Sequence, residues 1–358
     1  MADRERKVLL VGSLPYENEE QAMRQALNLV GNDVFSLPDG EIGERSATYP
    51  NGNRAAWVQT IIDRCEQDTA NWEVVKPAVR GDSGFPTGYD KEPLLKAKHP
   101  PSQMHKYLDF RWLEYFQEYY PVFKKLRKEY NLPELKFQVG IPTGLGGTFP
   151  AMKPLDAMRY ASAFNKRMAY EVNEMQKLAD PDDLLLQVEV PAELAFAYQL
   201  PDFLVNFSLR TVLDLVKRIE PRSAFGIHLC FGDLNNEALI NPPNLERMVL
   251  FSNQLVKKWP ASHALSYIHY PLAEAADPPP LDVEYYQQLA GIKLPPGVRF
   301  IAGFIHEKRS EAEHKHILQA IEGACGTSVD LACSCGLGRR TAAVADQLLE
   351  LSHQLVRA

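Results

Sequence analysis

Short apolar runs alternate with amphipathic stretches along the whole chain. Eight runs are of strand length and rich in Val, Ile, Leu and Phe, and each is followed by polar and apolar residues at helical spacing. The predicted strands lie at 8–14, 34–38, 137–143, 184–190, 224–230, 264–270, 298–305 and 328–335. The predicted helices lie at 17–29, 55–67, 155–178, 209–219, 245–258, 283–289, 311–322 and 340–356.

This strict alternation predicts parallel strands joined by helical crossovers. Eight units favour a closed (β/α)8 TIM barrel over an open doubly wound sheet, and continuous apolar runs are typical of strands that helices cover. No linker or repeat divides the chain, so we expect a single α/β domain over 1–358. Residues 71–120 fit the alternation poorly. We interpret them as an insertion between the second and third units, either a lid or interface or an irregular surface excursion.

Charge and cysteine content narrow the functional classes. The 358 residues carry 39 Lys and Arg against 46 Asp and Glu, a net charge of -7 that argues against a nucleic-acid or anionic-membrane partner. The opening MADRERK lacks the apolar core of a signal peptide, and no apolar run approaches the length of a membrane span. Five cysteines do not indicate a disulfide framework, so we expect a cytoplasmic protein whose thiols are free for metal binding or chemistry.

Polar residues cluster at the ends of the predicted strands, which is where barrel enzymes carry their active sites. They are Ser13, Asp39, Glu41, Glu189, His228, Cys230, His269, His306, Cys333 and Cys335. His228 and Cys230 lie two apart on one strand and share a face, as do Cys333 and Cys335. Imidazole and thiolate ligands favour zinc. Alternatively, Cys230 and Cys333 are small core residues, the role we expect for Cys65 and Cys325.

Six ordered motifs carry a resemblance to a known family. They are VGSLP at 11–15, DGEIGER at 39–45, LQVEVPAEL at 186–194, IHLC at 227–230, FIHEK at 304–308 and CGLGRR at 335–340. With these motifs the chain resembles the catalytic C-terminal barrel of cobalamin-independent methionine synthase, within the superfamily that also holds uroporphyrinogen decarboxylase. The resemblance implies a TIM barrel with zinc ligands at His228, Cys230 and Cys335, which leaves Cys333 unassigned.

The resemblance also implies roles for three acid–base residues. Glu41 stands where the family binds the amino group of homocysteine, Glu189 where an aspartate contacts the amino acid, and His306 where a histidine donates a proton. Three further residues are candidate substrate contacts. They are Ser13 in the opening motif, Asp39, which would receive an amine or cap the turn after Pro38, and Arg339, which would bind a carboxylate. Of Arg339 and Arg340, we expect at least one to be merely solvated.

Two departures from the family pattern bear on the reaction. His269 occupies the position of the family's glutamate ligand, and the aspartate–glutamate pair of the family has become Glu189 and Val190. If His269 completes the zinc shell, the ion receives less negative charge. A bound thiolate then becomes a poorer nucleophile, and a bound water or carbonyl is activated more strongly. A closed shell of four ligands would alternatively make the zinc structural.

Three functions therefore stay open. The first is a zinc-dependent enzyme that transfers an alkyl or methyl group to a small amino-acid-like or thiol substrate. The second is a zinc-dependent hydrolase or carbon–carbon lyase or decarboxylase on the same barrel, and the third is a non-catalytic binding protein. After the third strand, the glycines of TGLGGTF at 143–149 predict a flexible turn rather than an anion site. The oligomeric state stays open.

Overall fold

A computed structural model describes residues 5–199, 201 and 205–357. In this part of the chain, eight parallel strands form one sheet in the order β1-β10-β9-β8-β7-β6-β5-β2. A parallel bridge between Val8 and Val34 links the two ends of the sheet, which makes a nearly closed barrel. The sheet strands are β1 (Val8–Leu9), β2 (Ser36–Pro38), β5 (Lys136–Pro142), β6 (Leu184–Glu189), β7 (Ala224–His228), β8 (Leu265–Pro271), β9 (Arg299–Ile305) and β10 (Asp330–Cys333). The predicted (β/α)8 architecture is confirmed.

Helices follow the strands and cover the outside of the barrel. They are α1 (Glu19–Leu29), α2 (Trp57–Gln67), α3 (Pro101–Met104), α4 (Trp112–Glu129), α5 (Gly144–Thr148), α6 (Pro154–Leu178), α7 (Pro191–Gln199), α8 (Val205–Arg218), α9 (Glu246–Lys258), α10 (Val283–Tyr286), α11 (Glu311–Cys325) and α12 (Ala342–Val356). Within the described ranges, none of these helices combines the length and apolarity that a bilayer crossing requires.

The first strand is much shorter than the apolar run 8–14 predicts. After Leu9, side-chain amides inside the barrel replace a neighbouring strand as hydrogen-bond partners. Gln138 Nε2 donates to the Leu10 carbonyl at 2.8 Å, and Gln187 Nε2 donates to the Val11 carbonyl at 2.6 Å. The Tyr267 hydroxyl in turn donates to Gln187 Oε1 at 2.7 Å. The barrel interior is therefore a hydrogen-bonded polar layer beneath the strand ends.

The predicted insertion 71–120 contains more regular structure than an irregular excursion. It begins with an antiparallel hairpin of β3 (Trp72–Lys76) and β4 (Leu94–Ala97). Its last residues belong to α4, which packs against α1 and α6 as the crossover helix of the second unit. The insertion boundary at 120 is therefore wrong, because the aromatic run before it is the buried face of a barrel helix.

The glycine-rich segment 143–149 is also ordered rather than a flexible turn. It forms the short helix α5, which the Thr143 side chain caps by accepting from the Gly146 amide. All five residues of α5 are buried. A Cβ at Gly144 would lie 1.9 Å from the Ala161 carbonyl oxygen. The glycine therefore permits close helix packing, which is the physical reason for the composition that suggested a turn.

Candidate metal centre

Two strand ends bring a histidine and two cysteines together. His228 is the last residue of β7, Cys230 follows two residues later, and Cys335 lies two residues beyond the end of β10. One ligand atom from each of the three lies within 4.8 Å of the others, and the two Sγ atoms are 4.0 Å apart. These residues form a group that could hold a metal ion, here called the metal triad. All five cysteines are free thiols.

The tautomer of His228 follows from a chain of hydrogen bonds. His269 Nε2 lies 3.0 Å from the Cys333 carbonyl, which can only accept, so this nitrogen carries a proton. Burial lowers the pKa of His269 well below its ordinary value, so its ring is neutral and its Nδ1 is an acceptor. His228 Nδ1 must therefore donate to it, at 2.7 Å. With Nδ1 as the donor, Nε2 is the His228 nitrogen that can offer a lone pair.

That Nε2 atom is buried, and none of the described residues is a hydrogen-bond partner for it. A buried nitrogen without a partner costs about 1–3 kcal/mol, and a metal ion would satisfy it. An imidazole whose other nitrogen donates to a fixed acceptor is the usual arrangement of a metal-binding histidine. The triad therefore has the protonation pattern of a metal site.

His269 lies outside the metal triad in this conformation, and its role as a fourth ligand stays a prediction. Both of its ring nitrogens are occupied, by His228 and by the Cys333 carbonyl, and the ring lies behind the metal triad rather than in it. In this arrangement it orients His228. Cys333 contributes its carbonyl, while burial raises the pKa of its thiol to about 12. Of Cys333 and Cys335, the two cysteines at this strand end, only Cys335 belongs to the metal triad.

The two thiols of the triad differ in their electrostatic surroundings. The hydrogen bond from Cys230 lowers the pKa of Cys335 well below its ordinary value, and the charge of Arg339 acts in the same direction. The same contact with Cys335, together with burial, raises the pKa of Cys230. The Gly232 amide donates to Cys230 Sγ at 3.3 Å, and Arg339 Nη2 donates to Cys335 Sγ at 3.4 Å. The site is therefore arranged to stabilise negative charge on sulfur.

The guanidinium of Arg339 is occupied by contacts within the protein and is not free to bind a substrate carboxylate. Its guanidinium pairs with Asp233, donates to Ser13 Oγ at 3.0 Å and donates to the Ala55 carbonyl at 3.0 Å. Ser13 Oγ also accepts from the Gly338 amide at 3.3 Å. Ser13 and Arg339, both predicted substrate contacts, thus connect the loops that follow four strands, β1, β2, β7 and β10, beside Cys335.

Arg340 is not merely solvated, contrary to one expectation for this pair of arginines. Its Nε donates to Glu307 at 3.0 Å and its Nη2 to the Ala275 carbonyl at 3.0 Å. The side-chain exposure of Arg339 is 14% and that of Arg340 is 7%. Both arginines therefore support the loops around the barrel mouth.

Glu41 and Glu189 meet on either side of Gly140. A Cβ at Gly140 would lie 2.9 Å from Glu41 Oε1 and 3.2 Å from Glu189 Oε1. Burial and the charge of Asp39 raise the pKa of Glu41 to about 8. Burial and the charge of Glu41 raise the pKa of Glu189 well above its ordinary value. Both shifts favour the protonated form of these buried carboxyls. Glu41 also has φ of +50°, a costly conformation that is concentrated at functional sites.

Asp39 has the capping role that was one of its two predicted alternatives. Its Oδ1 accepts from the Glu41 amide at 2.8 Å, and its Oδ2 pairs with Arg54 at 2.9 Å. Arg54 also pairs with Glu19 at 3.2 Å and stacks on the Tyr115 ring at 4.2 Å from its centroid. Asp39 therefore holds the turn that carries Glu41.

His306 is buried at the end of β9, away from the metal triad. Its Nε2 donates to the Ala275 carbonyl at 3.1 Å, and its Nδ1 accepts from the Lys308 amide at 3.1 Å. Burial lowers the pKa of His306, so the ring is neutral. In this conformation both nitrogens are used by the backbone, and its role as a proton donor stays a prediction.

The metal triad opens on a cavity of about 290 Å³. Its walls are mostly apolar, and Glu189, Cys230, Cys335 and Arg339 lie among its polar lining residues. Sequence reasoning missed four other polar lining residues: Gln59, Tyr89, Glu92 and Asp233. Asp233 follows the His-x-Cys pair by three residues, a proximity that could have pointed to it. Glu92 lies in the 71–120 excursion, where no pattern in the sequence predicts a contact with the strand ends.

Comparison of the chain with family models and with curated proteins finds no match.

Proposed function

We propose that this protein is a zinc-dependent enzyme that transfers an alkyl or methyl group to the sulfur of a small thiol substrate. The observation that carries the proposal is the metal triad: one histidine nitrogen with a free lone pair and two thiols, within 4.8 Å of one another and at the edge of a cavity. The resemblance to the methionine synthase barrel supports the same chemistry.

The donor set favours zinc over other common ions. One imidazole and two thiolates suit zinc, and sites with three protein ligands and a fourth open position are typically catalytic. Zinc at such a position supplies Lewis acidity that favours the ionised form of a substrate thiol. Because both ring nitrogens of His269 are engaged, a zinc ion held by the metal triad would have a fourth position free for a ligand from the cavity.

The residues around the triad suit sulfur chemistry in a water-poor site. Arg339 and the Gly232 amide stabilise the two cysteine sulfurs through hydrogen bonds. Glu189 lines the cavity, and burial raises its pKa, which favours the protonated form that would donate a hydrogen bond to a polar group of the substrate. The apolar remainder of the cavity favours an apolar substrate body over water, which would disfavour hydrolysis of an alkyl donor.

Hydrolysis or carbon–carbon cleavage is a second candidate, which Asp233 favours. Two thiolates and a neutral histidine leave a divalent ion formally neutral, so its Lewis acidity is retained. Burial raises the pKa of Asp233 to about 6, its Oδ1 has no hydrogen-bond partner, and it lines the cavity. A carboxylate with that pKa suits a general base near neutral pH.

Metal analysis of purified full-length protein tests the shared premise. We expect about one zinc per chain in the wild type and loss of the metal in Cys230→Ser and Cys335→Ser. Cys333→Ser is the matched control and should retain zinc, because its thiol lies outside the triad. Absence of zinc from the wild type, or retention by the two triad variants, would overturn both candidates and favour a non-catalytic binding protein.

Cobalt substitution separates the two reactions. A thiol that enters the open position adds a sulfur-to-cobalt charge-transfer band to the absorption spectrum. We expect that band with small alkanethiols if the enzyme alkylates thiols. Absence of the band, together with hydrolysis of esters or cleavage of carbonyl compounds that Asp233→Asn abolishes, would favour the second candidate.

A further inference from the structure

A glutamate from outside the barrel lines the same cavity as the metal triad. Glu92 lies between the turn Tyr89–Lys91 and strand β4, in the excursion between the second and third units. It is only 7% exposed, and its Oε2 is buried without a hydrogen-bond partner. A buried carboxyl oxygen without a partner is unfavourable, so the position needs an explanation.

The charged groups around Glu92 do not supply its missing partner. Arg80 is the nearby cation, and it already pairs with Asp63 and Glu66 of α2. Burial, together with the charges of Asp63 and Glu66, raises the pKa of Glu92 to about 7 against the opposing effects of a hydrogen bond from Gln59 and the charge of Arg80. Without a ligand, Glu92 is therefore largely neutral below pH 7.

Asp233 lines the same cavity as Glu92 but differs from it in its ion pairing. It too is buried and has an oxygen without a partner, but its other oxygen pairs with Arg339. Its negative charge is therefore compensated by the protein itself. Glu92 forms no such ion pair with any residue that the structure describes, so a cation that enters the cavity would find a complementary charge there.

The segment that carries Glu92 is anchored to the loop that follows Cys230. The Tyr89 hydroxyl accepts from the Leu234 amide at 3.0 Å and donates to the Glu237 carbonyl at 3.2 Å. A Cβ at Gly232 would lie 2.4 Å from that hydroxyl oxygen, so a glycine permits the approach. These bonds place Glu92 at a defined position in the wall of the cavity.

We propose that Glu92 is a specificity-determining residue that binds an ammonium group on the substrate. The substrate would thus be an aminothiol, with its sulfur at the metal triad, an apolar body along the cavity wall and an amine at Glu92. The inference rests on the proposed function, because the metal places the sulfur end. A small rotation of the carboxyl about its terminal torsion, which is soft, brings an oxygen to the amine.

Three matched thiols test this inference on the cobalt-loaded full chain. The probes are a short linear alkanethiol and the same thiol with a terminal amine or a terminal carboxylate, followed through the charge-transfer band. In the wild type we expect the amine probe to bind about tenfold more tightly than the plain thiol, and the carboxylate probe more weakly than either. In Glu92→Gln the amine preference should disappear while affinity for the plain thiol is unchanged. Glu73→Gln, an exposed hairpin variant, is the matched control and should keep the preference.

The outcomes distinguish this inference from the proposed function. Equal binding of the three thiols in the wild type, or an amine preference that survives in Glu92→Gln, overturns the role of Glu92 and leaves the thiol chemistry intact. Absence of a charge-transfer band with every thiol overturns both. If Glu92→Gln does not fold, the wild type still supplies the test: the ratio of amine to plain-thiol affinity should fall as the pH decreases below about 7. A ratio independent of pH overturns the role.

Discussion

The Nδ1 atoms of His228 and His269 lie 2.7 Å apart at the ends of neighbouring parallel strands. This contact makes one imidazole the partner of the other, and the Cys333 carbonyl fixes the direction of the hydrogen bonds. His228 is thereby left with a free Nε2 lone pair beside two thiols. His269 thus acts on the metal triad by orienting the ring of His228.

Replacement of His269 tests this division of roles. We expect His269→Phe to weaken zinc binding about 10–100-fold without abolishing it, because His228 loses only its orienting partner. His269→Glu should bind zinc more tightly than His269→Phe, because a carboxylate can accept from His228 Nδ1. Competition with a chromogenic chelator measures both affinities. Complete loss of zinc in His269→Phe, as in His228→Ala, would show that His269 is itself a ligand.

A glycine on β9 makes room for the His269 ring. A Cβ at Gly303 would lie 2.4 Å from His269 Nε2 and 2.7 Å from the Tyr270 carbonyl oxygen. We expect Gly303→Ala to lower the free energy of unfolding by about 1–3 kcal/mol and to weaken zinc binding. Urea unfolding measures the first effect and chelator competition the second.

Gly323 is the matched control for this substitution. It is exposed in α11, and a Cβ there would have no neighbour within 4 Å. Gly323→Ala should therefore stabilise the protein by about 0.5–1 kcal/mol through helix propensity and leave zinc binding unchanged. Equal effects of the two substitutions would contradict the packing argument.

The unequal thiols of the triad predict selective modification of the metal-free protein. At pH 7, iodoacetamide should alkylate Cys335 before Cys333 or Cys65, because the pKa of Cys335 is lowered whereas burial raises those of Cys333 and Cys65. Peptide mass spectrometry over time gives the order. Arg339→Met should slow the reaction of Cys335, since its guanidinium donates to that sulfur. Faster modification of Cys333 would contradict this assignment of charge.

The raised pKa of Glu92 predicts how the free energy of unfolding depends on pH. Its pKa is about 7 in the folded protein against an ordinary value of 4.5, so the folded state binds more protons between these values. Glu92 therefore contributes less to stability as the pH rises through that window. Glu92→Gln removes this dependence and should be more stable than the wild type at pH 8 by about 1–3 kcal/mol.

Urea unfolding at pH 5 and pH 8 checks this prediction. The difference between variant and wild type should be small at pH 5, where Glu92 is mostly protonated in the folded state. A difference that does not change between the two pH values would mean that Glu92 is ionised and compensated in the fold.

The barrel could be predicted because its signal is local. Buried parallel strands are continuous apolar runs, and the runs at 184–190 and 224–230 coincide with β6 and β7 to within two residues. The run at 8–14 was predicted too long because Gln138 and Gln187, remote in sequence, take over its hydrogen bonding after Leu9. The aromatic run before residue 120 was misassigned because its partners lie on other helices.

The sequence by itself determined the eight strand–helix units and the residue types at their ends, because strand and helix periods are local properties of the chain. Tertiary structure decided which of those residues meet. The pairing of β10 with β9 shifts between Ala332 and Cys333, and in the resulting fold the metal triad contains Cys335, the cysteine that the family resemblance had already favoured over Cys333. The hydrogen bond between the two rings makes His269 the partner of His228 rather than a member of the metal triad. The fold of the excursion between the second and third units brings Glu92 to the cavity. Such distances between remote segments depend on packing, which no local pattern encodes.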